Sequence, residues 1–356
     1  MRTNNSQKIA LHMLGYALAL TSACQTAPRP APPMPVPVQP IEQLFRLVGS
    51  RTLSGVKSAD VTDVAVGRSG RVYVVDGGQR RILEYEQNGT LLRRIGGPGR
   101  NPGKFTVPWK VTEGPDNTVY VLDIKQSRVH QFDSTGNFEH GISFASTGVT
   151  GQDIVIDDSG AMYVGGYRHS TPGDTVRPVV HRMTPDGDVE TSFYPLDART
   201  DSFNLKVIAG VALAPGPKGT LYAAQVTDNQ VFQFTRDGGV VGTIKGLSRI
   251  YREPHKMPIA PTREASEQIK AFLAEWTQLV SIVPGPDNQV MVVFAVHNPV
   301  RYAFNIYKDG TLEHEGIGTE ARPIAWLLDG RLIFADQHES ELSIRTYTSP
   351  VAAVGL

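Results

Sequence analysis

Three pairs of turn residues in this chain stand nineteen positions apart: Gly70 and Gly89, Asn117 and Gly136, and Gly219 and Gly238. A four-stranded antiparallel meander needs its first and third hairpins at a fixed separation, so equal spacing is a direct signature of one unit used repeatedly. The copies are visible in the sequence. VTDVAVGRSGRVYVVDGGQRRILEYEQNGTLLRRIG at 61–96 recurs as VTEGPDNTVYVLDIKQSRVHQFDSTGNFEHGISF at 111–144. Two looser copies carry Gly160 with Gly187 and Asn288 with Gly310, and a sixth first turn is Gly330. First turns at 70, 117, 160, 219, 288 and 330 are separated by 47, 43, 59, 69 and 42 residues. A step of about 40 to 50 residues suits one blade of a β-propeller. The expected fold is therefore all-β, a six-bladed propeller with four-stranded antiparallel blades spanning 41–356.

Composition agrees with many short strands. Gly (35) and Pro (25) punctuate β-branched and aromatic runs such as RVYVV at 71–75 and TVYVL at 118–122. The two long steps require insertions. One is PTREASEQIKAFLAEWTQLV at 261–280, where Ile269, Phe272, Leu273, Trp276 and Val280 fall at helical spacing behind Thr262 as N-cap. The spacing predicts an amphipathic helix over 262–280 laid on the propeller. The sixth copy has little sequence after Tyr347, whereas LFRLVGSRTL at 44–53 precedes the first copy and can be extended. That strand is expected to complete the last blade and remove a sheet edge.

The first forty residues read as an address. Arg2 and Lys8 precede an apolar run from Ile9 to Leu20, and Thr21, Ser22 and Ala23 lead to Cys24. This is the charged, apolar and small-residue order of an export signal. At roughly 18 Å as a helix, the run is too short for a hydrocarbon core of ~30 Å. Cys24 is the only cysteine, so no internal disulfide framework exists. Its place resembles that of the lipidated cysteine in a bacterial lipoprotein signal, with Thr21 where Leu is usual; ordinary secretion after cleavage near Ala23 is the alternative. Residues 25–40, QTAPRPAPPMPVPVQP, hold seven prolines in sixteen residues and read as an extended linker of about 50 Å. The expected location is the cell envelope, with lipid anchoring on the outer membrane or a periplasmic face.

Val74, Val75 and Asp76 followed by Arg81 and Ile82, and Val121, Leu122 and Asp123 followed by Arg128 and Val129, resemble NHL repeats and the wider group of six-bladed propellers of bacterial secreted proteins. The segment GGPGRNPGKFTVP at 96–108 is similar to the glycine-rich connection between NHL blades. The resemblance implies the propeller fold. It leaves function open, because that group includes binding scaffolds, lyases and lactone hydrolases.

Charge balance, 35 Lys and Arg against 35 Asp and Glu, gives no field favouring nucleic acid. Catalytic spacings such as GxSxG, HExxH, a Walker loop or CxxC are absent. In the repeat plan, loops after second strands and loops entering first strands share one face. That face gathers Arg80, Trp109, Lys110, Lys125, Arg128, Asp153 and Tyr167, together with Arg168, His169, Asn229, His297, Asn298 and His338. A concave rim of aromatic, basic and imidazole groups suits an acidic or carbohydrate-like ligand. Asp76, Asp123 and Asp336 end second strands at equivalent positions and are expected to accept turn hydrogen bonds. The functional expectation is a binding or scaffold module for a peptide, glycan or protein, touching the membrane only through its anchor. The alternative is a metal-dependent propeller hydrolase or lyase. No cofactor is expected, except that a divalent metal in the central funnel, held with His169, His297 or His338, stays open.

Overall fold

The computed structural model describes residues 37–168, 177–198, 200, 210–245, 249–256, 271–296, 300–338 and 340–349. Two strands precede the blades, β1 (Gln39–Pro40) and β2 (Arg46–Thr52). Blade one is β3–β6 (Val61–Val66, Val72–Asp76, Arg81–Tyr85, Leu91–Gly96). Blade two is β7–β10 (Pro108–Glu113, Val119–Asp123, Arg128–Phe132, Phe138–Ser143). Blade three is β11–β14 (Val149–Ile156, Met162–Arg168, Pro178–Met183, Val189–Pro195). Blade four is β15–β18 (Val211–Pro215, Leu221–Gln225, Gln230–Phe234, Val240–Lys245). Blade five is β19–β22 (Gln278–Pro284, Gln289–Ala295, Tyr302–Lys308, Thr311–Thr319), and blade six has β23–β25 (Arg322–Trp326, Leu332–His338, Glu341–Thr348).

Each blade is an antiparallel meander whose first strand lies at one edge of its sheet. The turn residues that reveal the repeat share one backbone conformation. Gly70, Gly160, Gly219 and Gly330 have φ of +79°, +83°, +73° and +84°, and Asn117 and Asn288 both have +58°. The left-handed region is open to glycine at no steric cost and to asparagine at little, which is why these two types recur there. Of the three carboxylates expected to accept turn hydrogen bonds, Asp76 and Asp123 do so at the ends of their strands, whereas Asp336 lies inside β24, which runs on to His338, and pairs with Arg345 of the neighbouring strand. Asp123 accepts backbone N–H groups from Thr106 (2.6 Å), Lys125 (3.0 Å) and Gln126 (3.0 Å). Asp76 accepts from Gln79 N and Arg81 Nε.

The second strand of each blade is buried on both faces because each sheet packs between two neighbours, whereas the outermost strands are largely exposed. Along β4, Tyr73 and Val75 face blade two, while Val72 and Val74 face blade six. Six apolar clusters, one between each adjacent pair of blades, form the core. A packed face on each side converts the strand's two-residue period into a near-continuous apolar run.

The N-terminal strand closes the ring. β2 pairs antiparallel with β25, from Arg46↔Thr348 to Thr52↔Ser343, and supplies the outermost strand of blade six. Just before it, β1 adds a fifth strand to blade five by pairing in parallel with β22. Between them Ile41 and Phe45 bury their side chains in the cluster joining blades five and six. The chain thus binds two blades before the first repeat begins.

The inserted helix differs from its expected extent. Residues 271–273 are helical, but β19 begins at Gln278, so Gln278–Val280 belong to blade five and not to a helix running to 280. Phe272 and Trp276 do bury their rings. Thr277 ends the segment by donating its hydroxyl to the Ile250 carbonyl (2.8 Å) and accepting from Arg252 N (3.0 Å). Beyond it, Leu279 pairs with Phe294 of β20 and Val280 is the bulge residue before Ser281, both in the strand that forms the inner edge of blade five. Residues 262–270 lie outside the described residues, as do Cys24 and the signal segment. Among the described residues no helix is long and apolar enough to cross a membrane.

Two predictions follow from this packing. Deleting 41–55 removes Phe45 and the closing strand together and should abolish the cooperative thermal transition; a transition unchanged in temperature and sharpness would show the ring closes otherwise. The second concerns His130, which is fully buried against Phe105 (ring centroids 5.1 Å) and Phe138 (6.1 Å), with neither ring nitrogen hydrogen-bonded. Burial pushes its pKa down to about 4, from about 6.5 in an unfolded chain. The unfolded chain takes up the proton first, so stability present above pH 6.5 is lost as pH falls toward 4, by on the order of 3 kcal/mol for this residue. His181, hydrogen-bonded to Ser192 and the Gly166 carbonyl, shifts the same way to about 4. His130→Leu, the residue type that blade one carries at the same rung (Leu83 opposite Val74), should flatten roughly half of the acid-side loss in denaturant melts.

Candidate functional site

Ring closure leaves six first strands around one axis, each with its inner edge free of strand partners. In β3, β7, β11, β19 and β23 the pairing register shifts near the start of the strand, and blade four alone shows no such shift. Such a bulge re-aims the side chain beside it. The residue at the matching rung of each blade is Asp63 (opposite Val75), Lys110 (Leu122), Asp153 (Gly165), Ala212 (Ala224), Ser281 (Val293) and Arg322 (Ala335). All six line a central channel of about 960 Å³.

Four of the six carry charge, and their signs alternate from blade six through blades one and two to blade three. Arg322 Nη2 lies 3.3 Å from Asp63 Oδ1, and Lys110 Nζ lies 3.2 Å from the same oxygen. Val111 N donates to the other oxygen of Asp63 at 3.4 Å. Lys110 Nζ stands 4.0 Å from Asp153 Oδ1, beyond hydrogen-bond reach. Asp153 instead accepts backbone N–H groups of Leu213 (2.9 Å) on blade four and Ile154 (3.0 Å). The two carboxylates are driven apart. Burial disfavours charge at both, but at Asp63 the adjacent Lys110 and Arg322 outweigh it and hold the pKa below the ordinary value. At Asp153 burial prevails over the more distant Lys110, Asp63 adds repulsion, and the pKa is raised.

At the opposite end of the channel, the buried Glu113 accepts from Ser69 N (2.8 Å), Ser69 Oγ (2.7 Å) and Tyr73 Oη (2.6 Å). Burial and this carboxylate push the Tyr73 phenol strongly upward, so it stays a protonated donor. Arg68 on blade one reaches blade three, pairing with Asp158 and donating to the Ile156 carbonyl (3.1 Å). Among the described residues, blades four and five contribute no charged side chain to the channel wall. Their lining is Ala212–Pro217, Tyr222, Val280–Gly285, Asn288, Gln289 and Val290, and blade six adds Ile324 and Trp326. The channel therefore has a charged side and an apolar, aromatic side.

The residues expected at the mouth divide accordingly. Lys110 and Asp153 meet in the channel. Trp109 is the half-buried bulge residue beside Lys110. Arg80 sits in the second loop of blade one at φ +53°, and Lys125 is exposed in the matching loop of blade two. Arg128 opens β9 opposite Asp123, its Nε buried and without a hydrogen bond. Tyr167 and Arg168 end β12, and Tyr167 borders a small cleft with Gln225 and Thr227. Asn229 is half-buried with an unbonded Oδ1, and His338 ends β24 in solvent. His169, His297 and Asn298 lie outside the described residues. Among the described residues no group of three or more His, Cys, Asp and Glu is arranged to hold a metal ion.

Asp63 and Arg322 escaped the sequence reading, although a signal for them exists. Asp63, Lys110, Asp153, Ala212 and Ser281 each stand seven positions before the first-turn residue of their copy, and Arg322 stands eight before Gly330. Counting back from the turn, and not forward from the loops, isolates the ring.

No family model matches the chain, and no curated protein sequence matches it. Solved structures do resemble it. A protein named as exported from Bacteroides fragilis superposes with a TM-score of 0.57 at 11% identity, covering 86% of this chain and 96% of that one. A DUF4221 member from Bacteroides vulgatus gives 0.57 at 10% identity, covering 85% and 97%. A gluconolactonase from Xanthomonas campestris gives 0.52 at 15% identity, covering 91% and 100%. At such identities the likeness establishes the fold, a six-bladed propeller, and nothing of activity.

The ring's energetics are testable directly. Asp63→Asn leaves Lys110 and Arg322 facing each other without their shared carboxylate and should cost about 2–4 kcal/mol in denaturant unfolding. Adding Lys110→Met should recover part of that loss, giving a double-mutant coupling well above 0.5 kcal/mol; strict additivity would show that the pair does not interact.

Proposed function

We propose that this protein is an exported, lipid-anchored binding module that takes a peptide or glycan ligand into the central channel from the face bearing the Arg322–Asp63–Lys110–Asp153 arc. The observation that carries the reading is the two-sided channel: ionic groups on blades six, one, two and three, and an uncharged wall on blades four and five. Ligand sites combine apolar walls with a few convergent polar groups. A volume of about 960 Å³ falls in the range of small-molecule and short-peptide pockets. A core so rigidly divided into blades gives those groups fixed positions, which lowers the ordering cost of binding.

The address belongs to the same proposal. Cys24 receives the lipid, the proline-rich segment 25–40 acts as a tether as far as Gln39, where β1 joins blade five, and the NHL-like repeats form the exported head. A second reading, acid–base chemistry in the same channel by a hydrolase or lyase, draws support from the opposite pKa displacements of Asp63 and Asp153 around Lys110.

A thermal-shift screen of short peptides and oligosaccharides tests the channel reading. A ligand at 100 times its Kd stabilises by about 2.7 kcal/mol, and Ala212→Trp, which fills the uncharged side of the ring, should erase the shift for every true ligand. Shifts that survive Ala212→Trp would place binding elsewhere and sink the reading. Turnover of a stabilising compound that Asp153→Asn stops would favour the acid–base reading.

A further inference from the structure

The ring is an open arc, and its two ends have opposite sign. Asp63 and Lys110, in the middle, are 3.2 Å apart and largely satisfy each other. Arg322, at the blade-six end, uses one N–H toward Asp63, and no other hydrogen bond of its guanidinium is formed among the described residues. A guanidinium has five donors. Asp153, at the blade-three end, has, among the described residues, its one ion pair with Lys110 at 4.0 Å. Its other contacts are two backbone N–H groups. Blades three and six stand opposite each other in a six-membered ring, and the positions between them on the far side are Ser281 and Ala212.

We infer that the channel takes a zwitterionic ligand with an apolar body, of the free amino acid or short peptide type, lying across the Ala212–Ser281 gap with its anionic group on Arg322 and its ammonium group on Asp153. This rests on the channel reading above and specifies its ligand class. The arc is itself neutral, two cations and two carboxylates. A ligand carrying one charge would leave the arc with a net charge, whereas a zwitterion gives each arc end a partner and keeps the arc's sum at zero. Small residues at 212 and 281 leave the space such a ligand needs, because a charged side chain there would complete the ring. Below the gap, Tyr222, Val283, Pro284, Ile324 and Trp326 form the wall against which an apolar body would lie. The raised pKa of Asp153 fits the same view, since the carboxylate lacks a close cation.

Calorimetry on the propeller protein with phenylalanine, leucyl-phenylalanine and leucyl-leucyl-phenylalanine spans three charge separations. Each is compared with its N-acetyl and C-terminal amide forms. At least one zwitterion should bind about tenfold or more tightly than either single-charge form, each lost ion pair costing about 1.4 kcal/mol. Arg322→Gln should weaken the zwitterion and the N-acetyl form and spare the amide. Asp153→Asn should weaken the zwitterion and the amide and spare the N-acetyl form. This crossed pattern is one that a general loss of folding cannot produce. Failure of all three zwitterions to bind, or equal affinity for the charged and capped forms, overturns the zwitterion. A thermal-shift ligand abolished by Ala212→Trp but indifferent to Arg322→Gln and Asp153→Asn also overturns it, while leaving the channel reading standing.

Discussion

Everything in this molecule depends on sheets that are apolar on both faces finding a neighbour on both sides. A single four-stranded blade here exposes Tyr73 and Val75 on one face and Val72 and Val74 on the other, so it cannot be stable alone. Each further blade buries one of those faces and creates another, and only a closed ring leaves none. Closure is therefore the condition for the whole core. The chain achieves it by spending its first described strands on its last two blades, β1 on β22 and β2 on β25. Ile41 and Phe45 fill the seam between those blades.

The channel is a consequence of that closure. Six inner strands that have no partner on the axis side present backbone and the bulge-side residues to a shared space. The positions least involved in blade packing are thus the ones free to carry chemistry. That explains why ionic groups appear at a rung whose outward neighbours, Val75, Leu122 and Ala335, are buried and apolar. It also explains the buried Glu113: a carboxylate at the far end of the same strand set survives desolvation by collecting three donors from blade one, tying two blades together at the channel.

The fold was legible because backbone geometry forces residue type. A left-handed turn position admits Gly or Asn, so Gly70, Asn117, Gly160, Gly219, Asn288 and Gly330 mark the blades whatever the surrounding sequence does. The site was only half legible. Lys110 and Asp153 emerged from the loop-facing positions, but Asp63 reads as an ordinary acid in VTDVAV and Arg322 as an ordinary base in ARPIAW. Nothing local distinguishes them, because their meaning lies in a partner some 50 or 260 positions away, brought within 3.3 Å only by the ring. The helical reading of Gln278–Val280 failed for a related reason: spacing of three and four suited a helix, but blade five needed an inner strand, and tertiary pairing decided the outcome.

The long repeat steps gain a meaning from the ring that length alone did not give them. The steps of 59 and 69 residues hold their extra sequence in the segment 169–177 inside blade three and in the connections 196–210 and 246–277 that lead into blades four and five. Blades four and five carry Ala212 and Ser281 and, among the described residues, contribute no charged side chain to the channel wall. Blades one, two and six hold Asp63, Lys110 and Arg322 in an ionic arc, and blade three ends the arc with Asp153. Blades six, one, two and three thus supply the charge, while blades four and five supply space beside it. A ligand of the proposed kind would have to satisfy both, matching the arc with polar groups at set positions and the gap with bulk, and this pairing of a charged and an uncharged side would give selectivity within a class of ligands that share the same charges.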